Sequence, residues 1–408
     1  MPKKILIILI FLLVAMGVGY GIYYVFFRVS PGSLVAPVEK PQGTLPGVIT
    51  GPGGQIVTST SNLPNIITDE TISAPLIINQ KSIVPDVKIV KQNITNPEAV
   101  VPSADGGLKY FNRGQSGFYQ IKADGEVAPL TDKKFTGVNK VIWSADTNKA
   151  ILQYPDGYSV FYDFNTKQQA TLPSNWSNFS FSPDGQKIAF VTDGILEDSR
   201  WLAMSRPDGT EIEKIEPVGV NGDKVIVNWS PNNQVVAFAR TGEPQGGYLQ
   251  EIYLIGMQGE NFPSLIVNGQ NFESKWSPNG QQLLYSVYTN EANYSPTLWI
   301  TEAQGDNIGR NNHSLQLNTW ADKCAFAPDG QSVYCGIPTS LRAGSGMWGG
   351  ESWRTTDYLY KINLASGERS VLDYSGQYNI SDLKISADGK KLYFTDHISD
   401  SLEEVQLP

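Results

Sequence analysis

One short phrase recurs through the last three quarters of this 408-residue chain and limits what it can fold into. An aromatic residue is followed by Ser, Pro or Ala, Asp or Asn, and Gly, as in Phe181-Ser182-Pro183-Asp184-Gly185. Further copies begin at Trp229, Trp276, Phe326 and Ile385, with weaker ones at Pro102 and Trp143. Their starts lie 38 to 59 residues apart. In each copy a strand ends in the aromatic; Pro then fixes φ, and Gly tolerates the positive φ of a tight turn. A second strand follows, for example residues 187–191 or 391–395. Third strands read at 251–255, 297–300 and 358–362, and a turn at Gly125, Gly209, Gly259, Gly305 or Gly367 leads to a fourth. No helical period interrupts the pattern, so the class is all-β. Four strands repeating every 40–50 residues mark the blades of a propeller.

The span from Pro102 to Pro408 holds 307 residues, about 44 for each of seven blades. The sequence therefore predicts a seven-bladed β-propeller of four-stranded blades. Its seventh copy reaches only a third strand, at 402–407, and an unpaired edge there invites aggregation. The segment 87–95 is expected to supply the missing outer strand and close the ring.

These repeats resemble the WD-like repeats of the TolB propeller family, and the propeller halves of prolyl-oligopeptidase-type peptidases. The resemblance covers about three quarters of the chain and rests on its Ser-Pro-Asp-Gly turns. It implies the propeller fold, with the turns in a structural role. TolB works in the cell envelope through protein contacts. This chain departs from it, with an apolar helix and a long linker where TolB has a cleaved signal and a small extra domain.

That helix is read from residues 5–27, which are 23 in a row without a charge. A helix of that length crosses a hydrocarbon core of roughly 30 Å. Lys3 and Lys4 precede it and Arg28 follows, which favours a cytoplasmic N-terminus and an extracytoplasmic body. A cleaved signal peptide would have a shorter apolar run and a small-x-small site. The nearest such site, Leu34-Val35-Ala36, is followed by Pro37. The domain reading is thus an anchor over 1–28, a Pro/Gly/Ser/Thr-rich linker over 29–80, and the propeller over 81–408. The linker holds no aromatic residue and no hydrophobic period, so it cannot offset its ordering entropy.

Several functions are disfavoured. With 31 basic and 40 acidic residues the chain carries a net charge of −9, which repels nucleic acid. Two cysteines and two histidines are too few for a structural zinc site. The one Asp or Asn per turn (Asp105, Asp146, Asp184, Asn232, Asn279, Asp329, Asp388) suits turn geometry better than a calcium loop, which stacks several carboxylates. No metal or cofactor is expected. A serine hydrolase would need Gly-x-Ser-x-Gly, which 114–117 and 344–346 both miss. His313 and His397 sit in polar stretches without a nucleophile partner.

Two features remain. Cys324 and Cys335 flank the Asp329-Gly330 turn and fall opposite each other on adjacent strands, spaced for a disulfide or for two packed thiols. The loops between second and third strands share a face with the connections between blades, and they are long: 192–200, 241–249, 288–296 and above all 337–357. Function concentrates on such loops, and exposed Trp, Tyr and Arg anchor interfaces. The candidate binding face comprises Arg342, Trp348, Trp353, Arg354, Tyr288, Tyr294 and Tyr248. A plug of tryptophans folded over the blade edge is the competing account of the insertion. The expected function is non-catalytic binding of a protein or glycan partner in the envelope, or a scaffold role there. The alternative is an envelope carbohydrate-active hydrolase or lyase with paired carboxylates in the channel, for which Glu197, Asp198, Glu243 and Glu291 are candidates.

Overall fold

The computed structural model describes residues 87–407, apart from 104, 243, 244 and 349, together with Met16. The expected anchor and linker lie outside the described residues. Among those described, no helix is long and apolar enough to cross a membrane.

Seven antiparallel four-stranded sheets follow one another along the chain. They span residues 97–129, 140–172, 176–217, 225–268, 270–314 and 324–378; the seventh joins 380–406 to 89–95. Numbered in that order, they are the blades of a propeller. First strands of neighbouring blades touch: those of blades 7, 1, 2, 3 and 4 in succession, and those of blades 6 and 7. First strands are therefore innermost, surrounding a central channel.

The ring closes as the edge argument requires. Ile89–Thr95 runs antiparallel to Ser401–Gln406, with Ile89 opposite Val405 and Thr95 opposite Ser401. The backbone N–H of Asn96 extends the ladder to the carbonyl of Asp400 at 2.9 Å. Ile89 packs against the apolar core of blade 7, so the same strand satisfies backbone groups and buries side chains.

The repeated turn is a small hydrogen-bonded knot. In blade 3 the Ser182 hydroxyl donates to Asp184 Oδ1 at 2.6 Å and accepts from the Lys187 N–H at 2.9 Å. The Gln186 N–H donates to the same Asp184 oxygen at 3.0 Å, while Gly185 takes φ 64°. These donors hold the Asp184 carboxyl below the usual range. Ser144 with Asp146, Ser277 with Asn279 and Ser386 with Asp388 repeat the bond. The knots also join blades: Lys149 Nζ donates to the carbonyl of Gly185, and Asn232 Nδ2 to that of Gly280, each at 2.8 Å. The turn carboxylates are thus occupied in structure.

Between blades, faces of adjacent sheets interlock. Phe118 is fully buried, its ring within 4.9–5.4 Å of Phe111, Phe135, Trp143 and Phe164, which brings blades 1 and 2 together. Each such side chain contributes about 1.5–3 kcal/mol by leaving water. Four innermost strands carry a β-bulge with a residue at positive φ: Ala99, Asn178, Asn271 and Asp382. A bulge bends its strand and re-aims side chains. In blade 6, Cys324 pairs with Cys335 across the first two strands, and the two are joined as a disulfide with Cα atoms 4.1 Å apart.

Candidate functional site

In each blade, strands one and two meet in the tight turn, and strands two and three meet on the opposite face. That second face also carries the connections between blades. Its elaborated loops are the candidate site.

The largest, residues 339–356 of blade 6, is fastened at its root by buried polar groups. Lys323 precedes the first strand of the blade and Asp357 begins its third. Their side chains are 1% and 0% exposed and form an ion pair. Lys323 Nζ donates also to Thr355 Oγ1 at 3.0 Å, and Thr355 in turn donates to Asp357 Oδ1 at 2.9 Å. The other Asp357 oxygen accepts the Ile380 N–H of blade 7 at 2.8 Å. Asn379 donates to the carbonyls of Ser352 and Thr355. Burial draws the ammonium below its usual range and the carboxyl above, and the bond between them opposes both shifts.

The tip of this insertion lies over the neighbouring blade. Backbone N–H groups of Gly344 and Gly346 donate to the carbonyls of Asn293 and Tyr294 at 2.8 and 2.7 Å. Asn293 and Tyr294 hold φ of 52° and 56° to present those carbonyls. A Cβ on Gly346 would come within 2.7 Å of Tyr288 Cβ and 2.9 Å of the Tyr294 carbonyl oxygen, so only glycine fits. Tyr294 stands between Tyr248 and Tyr288, with ring centres 6.5 and 6.2 Å away. The described tryptophan of the insertion does not fold over as a plug. Residues 345 and 346 are buried as a plug, whereas Met347 and Trp348 stay 44% and 66% exposed. Arg342 and Arg354 are exposed as well. Trp353 lies in the 3-10 turn Glu351–Arg354, and its side chain is outside the described residues.

A second prominence rises from blade 3. Ile195 and Leu196 are 98% and 67% exposed at the tip of the 193–200 loop, beside an exposed Val220 from the turn Gly219–Lys224. The loop is braced: Arg200 Nε donates to the Gly194 carbonyl and Trp201 Nε1 to that of Asp198, each at 2.8 Å.

The carboxylates expected in the channel are differently placed. Glu243 and the Glu197 side chain fall outside the described residues, and Asp198 and Glu291 are exposed on separate loops. Glu273, on the innermost strand of blade 5, is set beside another acid, as Glu403 of blade 7 is beside Asp396. Partial burial and the charge of Asp322 push the Glu273 carboxyl up to about 7. Asn271 Nδ2 reaches towards Glu273 Oε1 at 3.4 Å and donates to the Gly346 carbonyl at 3.3 Å, linking channel and insertion. Lys275, two residues on, is pushed down to about 8 by burial and by Lys384. His313 is exposed on the outer edge of blade 5, where Nδ1 bonds to the Asn311 carbonyl at 2.7 Å. Among the described residues, no group of three or more His, Cys, Asp or Glu that could hold a metal ion is present.

Aligning the repeats could have exposed this charge. The residue just before the motif is Val101, Ile142, Ser180, Asn228 and Ala325 in blades 1, 2, 3, 4 and 6. Blades 5 and 7 have Lys275 and Lys384 there.

No family model and no curated protein sequence matches the chain. Solved structures match in shape. An oligogalacturonate lyase from Vibrio parahaemolyticus superposes with a TM-score of 0.53 at 12% identity, covering 81% of this chain and 99% of its own. The Cps50 (Swd1) propeller domain of Myceliophteria thermophila gives 0.53 at 11% identity, over 79% and 100%. At these identities the likeness is one of fold.

Proposed function

We propose that this protein is a TolB-like binding propeller of the cell envelope, held at the membrane by its N-terminal helix, that grips a protein or glycan partner on its loop face. In this reading it is a binding or scaffold module rather than an enzyme. The observation that carries it is the pair of braced apolar prominences, Ile195 with Leu196 and Met347 with Trp348, on one face of a rigid ring. Apolar side chains held in water by a fixed backbone lose little entropy on docking, so they suit an interface. The disulfide of blade 6 is in keeping with an oxidising, extracytoplasmic compartment.

Photo-crosslinking in the native membrane tests it. Benzoylphenylalanine in place of Ile195 and of Trp348 is expected to trap the same partner, and in place of Asp329 on the turn face to trap none. Equal capture from Asp329 would overturn the loop-face reading.

One observation favours a second reading. The raised carboxyl of Glu273 beside Asp322 is the kind of acid a carbohydrate-active hydrolase or lyase needs in its channel. Such an enzyme would cleave envelope polysaccharide, and Glu273→Gln would abolish the release of new chain ends. Unchanged release by that variant would refute it.

A further inference from the structure

The repeated turn divides the blades into two groups. Blades 3, 4, 5 and 6 carry Pro183, Pro231, Pro278 and Pro328 in it, whereas blades 1, 2 and 7 carry Ala104, Ala145 and Ala387. The three alanine blades are consecutive around the ring, and a cavity of about 220 Å³ opens among their turns on the turn face. Pro102 and Ile385 form its apolar wall, beside Ala145 and Ala387, which lack the two further ring carbons of proline. Asp146 and Thr147 form its polar wall. Thr147 stands at φ 56°, which disfavours a β-branched residue, where blades 1, 3, 5, 6 and 7 use glycine. It is 6% exposed, and its hydroxyl has no hydrogen-bond partner among the described residues. Asp146 Oδ1 is tied into the knot by Ser144 and the Asn148 N–H, but Oδ2 has only a long contact of 3.4 Å with Asn148 Nδ2. The motif sets five carboxylates on this face, Asp105, Asp146, Asp184, Asp329 and Asp388. Among the described residues none of them is in an ion pair. The lysines that reach these turns are spent on neutral oxygens: Lys109 Nζ donates to the Thr147 carbonyl and Asn148 Oδ1, and Lys149 Nζ to the Gly185 carbonyl.

We infer that this cavity binds a primary alkylammonium group, the end of a lysine side chain or a free aliphatic amine. An ammonium has three donors and no acceptor, which matches the free Asp146 oxygen and the unpartnered Thr147 hydroxyl. Its alkyl chain leaves water by covering Pro102 and Ile385. A quaternary ammonium carries the charge without a donor, and a carboxylate would be repelled by the aspartates of the turns. The strained threonine thus supplies a hydroxyl and a methyl to the wall, where glycine would supply neither. The site lies on the face opposite the long loops and is independent of any partner held there.

Calorimetry on the full chain with n-butylammonium chloride, at constant ionic strength and neutral pH, tests the inference. Saturable binding is expected, and tetramethylammonium chloride should bind at least tenfold more weakly. Ala145→Pro restores the ring that blades 3–6 carry and should abolish butylammonium binding. Asp146→Asn, the residue type of blades 4 and 5 at that place, should weaken it at least tenfold. Asp184→Asn, in blade 3 where Pro183 already stands, should leave it unchanged. Circular dichroism confirms that each variant keeps its fold. A second arm separates the two sources. A blocked glycine-lysine-glycine peptide that binds more tightly than butylammonium assigns the site to a lysine side chain, and one that binds more weakly assigns it to a free amine. No saturable butylammonium binding, binding that survives Ala145→Pro, equal loss in Asp184→Asn, or equal affinity for tetramethylammonium would each overturn the assignment.

Discussion

The seam between blades 1 and 2 and the seam between blades 6 and 7 do the same architectural job, but the second adds buried charge to its apolar core. The first is aromatic: Phe118 at the centre, ringed by Phe111, Phe135, Trp143 and Phe164. At the second, the apolar core of blades 6 and 7 is joined by buried charge and amide, with Lys323, Asp357 and Asn379 bonded into one network. Apolar contact stabilises without demanding one geometry. A buried ion pair stabilises little, because desolvation offsets its attraction, but it permits only one arrangement. The second seam is where the long insertion begins and ends. The second seam therefore adds a fixed geometry to an apolar core of its own.

The largest expected effect tests the first half of that contrast. Phe118→Ala should cost about 3–5 kcal/mol, read from the urea midpoint, because it opens a cavity where five rings meet. Phe118→Leu should cost clearly less. A loss below about 1 kcal/mol for the alanine variant would mean that the ring does not lean on this seam.

Next comes the polar seam. Lys323→Met strands a buried carboxylate and should cost about 3 kcal/mol. The double variant Lys323→Met with Asp357→Leu should recover most of that loss. Both should expose residues 339–356 to protease, since the root of the insertion is untied. A double variant as unstable as the single, or an insertion still protected, would show that the pair does not serve placement.

The contrast also explains what could be read in advance. The apolar architecture was legible because each blade repeats it: aromatic, knot, strand, glycine turn, and a missing fourth strand that only 87–95 could supply. The loop face followed from chain lengths between strands. The polar network was not legible, because Lys323, Asp357 and Asn379 occur once and lie up to 56 residues apart. No local pattern links them; only the packing of blade 6 on blade 7 does. Glu273 escaped for a related reason. Its raised protonation comes from burial on the innermost strand and from Asp322 of the next blade, neither of which a local pattern announces. Carboxylates were sought on long loops, whereas the raised ones, Glu273, Asp357 and Glu403, stand on strands.

A smaller effect is expected from the disulfide. Cys324 and Cys335 close a short loop, separated by 11 positions. Replacing both with serine should cost about 2–3 kcal/mol by releasing unfolded-chain entropy. Reductant should lower the thermal midpoint of the native chain and leave that of the double-serine variant unchanged. Equal sensitivity of both would show that another group responds to the reductant.

The smallest effect separates charge kept for placement from charge kept for binding. Glu273 titrates near 7 in the folded chain and near 4.5 when unfolded, so the folded state holds its proton more tightly. Its contribution is therefore fully present below pH 4.5 and is lost as the pH rises through 7. Lys275 acts oppositely: its folded value of about 8 lies below the unfolded 10.5, so stability returns between those values. The native chain should show a stability minimum near pH 7–8. Glu273→Gln should remove the falling limb and gain about 1–2 kcal/mol above pH 7, after discounting for partial exposure, with no gain below pH 4.5. A pH-independent gain would place Glu273 with ordinary packing instead. If the limb disappears, the innermost strand of blade 5 carries a carboxylate that weakens the fold at neutral pH. Unlike the Lys323–Asp357 pair, it is not bonded into the root of the insertion.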